Sequence, residues 1–83
     1  MRQNYPNPFN PACYIRYRLP ETQRVLLNVY SVSGARVRTL VDGIQEAGYY
    51  TLKFHAGDLP GGLYIYRMRA GADVQTKKMI LLK

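Results

Sequence analysis

Apolar and polar residues alternate along most of this chain with a period of two. From Cys13 to Leu19, the residues Cys13, Ile15, Tyr17 and Leu19 share one side while Tyr14, Arg16 and Arg18 share the other, because successive side chains of an extended strand point to opposite faces. This predicts a strand with a buried apolar face and a wet arginine face, ended by Pro20. Arg24 to Tyr30 repeats the pattern with Val25, Leu27 and Val29 inward, and Ser33-Gly34 supplies a tight turn before Arg36 to Val41. The two runs read as a hairpin.

After a turn-rich stretch from Asp42 to Gly48, Tyr50, Leu52 and Phe54 mark the inner face of a strand over Tyr49 to Phe54. The stretch HAGDLPGG, His55 to Gly62, is dense in turn formers and predicts a loop. Leu63 to Ala70 follows with Tyr64, Tyr66 and Met68 inward and Arg67 and Arg69 outward. A turn at Gly71 to Asp73 leads into a last strand from Val74 to Leu82. No segment carries apolar residues at the 3.6-residue spacing of a helix. Six or seven strands at spacings of about 10 to 12 residues predict an all-β fold, an antiparallel sandwich or barrel.

Residues 1–11 differ in kind. Pro6, Pro8 and Pro11 each fix φ, lack an N–H and push the preceding residue toward extended geometry, so this Pro-rich segment reads as a stiff linker junction ahead of a β-domain over residues 12–83. Phe9 has no alternating neighbours and is expected to plug one end of the core. The division between the two is placed after Pro11.

Composition narrows the function. A chain of 83 residues has room for one domain and one core. A single cysteine, Cys13, excludes an internal disulfide, and its place beside Ile15 and Tyr17 reads as a small buried hydrophobe. Twelve Lys and Arg against five Asp and Glu give a net charge of +7, which favours anionic surfaces. No apolar run is long enough to cross a bilayer as a helix, and MRQNYPNPFN has no signal-peptide core. An exported form would carry its address on a larger protein. One His, His55, with Asp58 its one close carboxylate, and one Cys supply no zinc site and no Ser, His, Asp triad, so the chain reads as non-enzymatic and without a cofactor or metal.

Four stretches carry a family resemblance: NYPNPFNP at Asn4 to Pro11, SVSGARVRTLVDG at Ser31 to Gly43, LPGGLYIYRMRAG at Leu59 to Gly71, and QTKKMILLK at Gln75 to Lys83. Together they resemble the C-terminal sorting domain of the bacterial type IX secretion system, the Por secretion tail. The central hairpin is also similar to immunoglobulin-like domains of flagellar hook-capping proteins. The resemblance departs from the family pattern at Ala12, Cys13, His55 and Asp58, none of which interrupts a strand. It implies an immunoglobulin-like antiparallel β-sandwich of about seven strands, fused behind a cargo protein. It also implies recognition by an outer-membrane translocon, removal by a sortase-like peptidase, attachment of cargo to anionic lipopolysaccharide, and a secreted or cell-surface destination reached through the periplasm. The residues it points to for recognition are Gly62, Tyr64, Lys77, Lys78 and Lys83.

The residues themselves leave other readings beside it. Arg16, Arg18, Arg67 and Arg69, with Arg36 and Arg38, occupy outward positions and offer an anion-binding face, although a half-wet sheet needs such charges for solubility alone. On that basis the chain would be a binding module for anionic surface glycans, or a structural accessory domain of a secreted enzyme. Nucleic acid is not favoured, because no established motif surrounds Tyr14 and Tyr30. Tyr64 and Tyr66 share parity with Met68, which suits the core. KKMILLK suits either a closing core strand or a strand read by edge addition. An unprotected last strand would also allow homodimerisation.

Overall fold

The structure, a computed structural model, describes all 83 residues from Met1 to Lys83. Six strands follow one another: β1 (Ala12–Leu19), β2 (Gln23–Ser31), β3 (Arg36–Gln45), β4 (Gly48–His55), β5 (Gly62–Ala70) and β6 (Asp73–Leu81). They form a two-stranded sheet, β1-β4, and a four-stranded sheet in the order β3-β2-β5-β6, with every pairing antiparallel. The two inner faces enclose the core, so the all-β sandwich expected from the alternation is present.

The strands number six where the family resemblance implied about seven. The leading segment explains the difference: it makes only isolated bridges, Tyr5 to Tyr14 and Phe9 to Leu81. Prolines at positions 6, 8 and 11 lack the N–H that a continuous ladder needs. The chain there runs through bends.

Inward positions match the period-two reading. Cys13, Ile15, Tyr17 and Leu19 of β1, Val25, Leu27 and Val29 of β2, Phe54 of β4, Tyr64, Tyr66 and Met68 of β5, and Met79 and Leu81 of β6 are all buried. Tyr50 and Leu52 are half-buried against them. The β2-β3 hairpin closes through Gly34 at φ +89, whose N–H donates to Ser31 O at 3.0 Å. Such a turn needs glycine, which carries no Cβ to clash at positive φ.

β3 departs from expectation. It runs on through Asp42 and Gly43 to Gln45, with Asp42 opposite Leu26 and Gly43 opposite Val25. The ladder to β2 thus carries through a pair of residues that otherwise signals a turn, and the exposed Arg24 guanidinium meets the Asp42 carboxylate there at 2.6 Å. Two register shifts against β2, at Leu27/Asn28 and Val29/Tyr30, break the alternation in the first half of β3. Arg36 consequently lies opposite Tyr30 and Arg38 opposite Val29. The two do not share one exposed face: Arg36 is exposed, whereas Arg38 is half-buried and reaches Asp58 at 3.5 Å.

Candidate functional site: the last strand and its cover

β6 alternates Gln75, Lys77, Met79 and Leu81 toward β1-β4 with Val74, Thr76, Lys78 and Ile80 on the outer face. Met79 and Leu81 are buried, so the strand is part of the core and at the same time an edge of its sheet. The alternation separates the adjacent lysines. Lys77 lies opposite Tyr66 and is half-buried, while Lys78 lies opposite Ile65 and is exposed. Lys83, beyond the strand, donates from Nζ to Gly57 O at 3.0 Å.

At the facing end of β5, Gly62 pairs with Leu81 at φ +147, a conformation that L side chains rarely adopt. Tyr64 is buried, pairs with Met79, and donates its hydroxyl to Pro60 O. These two residues fix the β5 side of the last hairpin. Gly62, Tyr64 and Lys83 therefore gather at one end of the β5-β6 pair, and Lys77 and Lys78 lie further along the same strand on opposite faces.

The free edge of β6 is not bare. Phe9 N–H donates to Ile80 O at 2.9 Å and Leu82 N–H donates to Phe9 O at 2.9 Å. Asn7 Oδ1 accepts from Ile80 N–H at 2.9 Å, and Gln3 Nε2 donates to Lys78 O. The same segment bonds to β1 on its other side, through Tyr5 and Tyr14 at 2.8 and 3.0 Å and from Arg2 N–H to Arg16 O at 2.9 Å. It spans from one sheet to the other as a strap. The terminal edge that the sequence suggested for homodimerisation is thus covered over its C-terminal half.

Two buried side chains hold the strap. Phe9 is 1% exposed and its ring lies 5.9 Å from that of Phe54. Asn4, 3% exposed, donates its N–H to the Tyr66 hydroxyl at 2.7 Å, and that hydroxyl donates to Arg2 O at 3.1 Å. Burial pushes the Tyr66 phenol up to about 12, against the opposing bond from Asn4. The Cys13 thiol is also pushed up by burial, with an opposing hydrogen bond from the Asn4 side chain. A buried thiol of raised pKa is a poor nucleophile.

The four outward arginines do not form one face. Arg16 and Arg18 lie on the outside of β1, opposite Thr51 and Tyr49, with the Arg18 guanidinium 5.9 Å from the centre of the Tyr49 ring. Arg67 and Arg69 lie on the outside of β5, opposite Asn28 and Leu26. There they rim a depression of about 160 Å³ floored by Leu26, Asn28 and Tyr30. The pairs sit on opposite outer faces of the sandwich.

Sequence reasoning singled out Phe9 but not Asn4, Asn7, Gln3 or the hydroxyl of Tyr66 as parts of this end of the molecule. The signal was the Asn-Pro pattern of the leading segment, whose partners lie 62 to 75 residues away. Periodicity carries no information about contacts of that kind.

A family model described as a secretion system C-terminal sorting domain matches residues 3–82. No curated protein and no solved structure matches the chain.

Proposed function

The chain belongs to the family of secretion system C-terminal sorting domains, the sorting signals of type IX secretion, and from that premise we propose that it directs a cargo protein fused ahead of it across the outer membrane to the cell surface. The observation that carries this reading is the family match, which spans both the strap and β6. The outer-membrane translocon reads the β5-β6 pair through Gly62, Tyr64 and Lys83 at one end and Lys77 and Lys78 further along β6. Gly62 and Tyr64 act by fixing the strand geometry, and Lys78 and Lys83 by presenting charge. A sortase-like peptidase then separates the domain from its cargo, which passes to anionic lipopolysaccharide.

Removal of the last seven residues would be a poor test, because it takes Met79 and Leu81 out of the core. The discriminating experiment places residues 3–83 behind a signal peptide and a reporter in a bacterium competent for type IX secretion. The parent fusion is expected at the cell surface or in the medium. The double variant Lys78→Glu, Lys83→Glu is expected to stay folded by circular dichroism while its reporter accumulates in the periplasm. Periplasmic retention of the folded parent fusion would overturn the reading.

A further inference from the structure

We propose that the edge of β6 is a strand-acceptor site, occupied in this structure by the chain's own strap and open to exchange for an extended strand of a partner protein. The hydrogen bonds across this edge show a place-holder, not a matched strand. Between Gln3 and Phe9 the strap makes one bridge to β6, Phe9 to Leu81, its other bridge running from Tyr5 to Tyr14 of β1. Its remaining contacts to the edge of β6 are side-chain substitutes from Asn7 and Gln3. Pro6 and Pro8 have no N–H to offer.

The acceptor continues beyond the strap. Ile80 turns both its N–H and its C=O away from β5. In an antiparallel pair such outward-facing groups recur at every second residue, so Thr76 and Val74 point theirs the same way. No strap residue bonds to them. A strand without prolines, lying parallel to β6 as Phe9 does, would satisfy these groups as well as those at Lys78 and Ile80.

The present occupant specifies the newcomer. Such a strand needs a large apolar side chain for the slot that Phe9 fills beside Phe54, and a hydrogen-bond acceptor two residues earlier, as at Asn7. Main-chain bonds along the edge would supply affinity and the apolar anchor would supply register. Leaving residues 5 to 8 are all exposed, so only Asn4 and Phe9 have to give up buried positions. That the partner belongs to the secretion machinery rests on the function proposed above; the existence of the acceptor does not.

The test uses the whole chain and a synthetic peptide of residues 3–11 carrying Pro6→Thr, Pro8→Thr and Pro11→Thr. Binding is followed by amide NMR on the parent domain and on the variant Gln3→Ala, Asn7→Ala, whose changes lie at exposed positions. The peptide is expected to bind the variant about 10-fold or more tighter than the parent, because the tethered strap competes at high effective concentration. On binding, the Phe9 amide should lose protection while those of Ile80 and Leu82 keep theirs. A peptide with Phe9→Ala should not bind.

In the free protein, the amides of Phe9, Ile80 and Leu82 should exchange together, about 100-fold or more faster than the central β2-β5 ladder. Equal affinity for parent and variant, no binding, or binding with the Phe9 amide still protected would overturn the proposal. So would exchange of those three amides only with the core. Failure of the reporter fusion to leave the periplasm would leave these results standing and would remove only the identity of the partner.

Discussion

Tyr66 joins two distant parts of the chain through one oxygen. Its ring is fully buried, and its hydroxyl accepts from Asn4 N–H and donates to Arg2 O. Tyr66→Phe leaves the buried Asn4 N–H without a partner, and an unsatisfied buried donor costs about 1–3 kcal/mol. Urea unfolding is expected to show that loss at neutral pH with an unchanged m-value. The pH dependence carries the sign of a raised acid: the unfolded phenol ionises near 10 and the folded one at about 12. The unfolded state therefore loses its proton first, so this contribution is complete below about pH 10 and is lost as pH rises toward 12. Parent protein should weaken through that window more steeply than Tyr66→Phe, and equal slopes would show that the phenol does not titrate with folding. The sequence made the inward position of Tyr66 legible through its parity with Met68. It could not show the hydroxyl's partners, because a period of two places a side chain on a face without naming what lies across from it.

Among the elements, β6 and β3 illustrate what alternation reveals and what it conceals. β6 was readable nearly to the residue, since Met79 and Leu81 alternate with Lys78 and Ile80 and a turn precedes them. β3 was readable only in part. Its two register shifts against β2 and its continuation through Asp42-Gly43, where Asp42 meets Arg24, a partner 18 residues away, are cross-strand features that alternation within one segment does not mark. Because β6 is both core and candidate signal, its substitutions divide by face. Met79→Ala empties a fully buried position and is expected to cost about 2–5 kcal/mol, a large share of the roughly 5–15 kcal/mol that holds a small domain together. Lys78→Glu, on the exposed face, should change the thermal midpoint by little. Thermal circular dichroism on the two variants checks this split, and a comparable loss in both would show that Lys78 has a structural role.

Across the whole molecule, charge and closure are arranged separately. The carboxylates fall in turns, at the start of β6 as Asp73 does, or pair with arginines, as Asp42 does with Arg24 and Asp58 with Arg38, which leaves both outer sheet faces basic. Closure on the β1 and β6 side is left to the strap, which bonds to an edge of each sheet and seals the core with Phe9. The Pro-rich composition that sets that segment apart was legible; its role in bridging the sheets was not, because those bonds come from Asn7, Gln3 and isolated main-chain groups that no periodic pattern marks. Deleting residues 1–9 removes Phe9, uncovers the Tyr66 hydroxyl and bares the edge of β6. Loss of a buried aromatic alone costs about 3–5 kcal/mol, and about 4–8 °C of melting temperature goes with each kcal/mol in a domain of this size. The truncated domain should therefore melt at least about 12 °C below the parent. A bared edge also templates pairing with another chain, so it should associate at concentrations where Asn7→Ala, which loses one exposed bond, stays like the parent. Thermal melts combined with size-exclusion chromatography over a range of concentrations separate these effects: a truncated form that melts lower yet does not associate would show that the strap serves the core without guarding the edge.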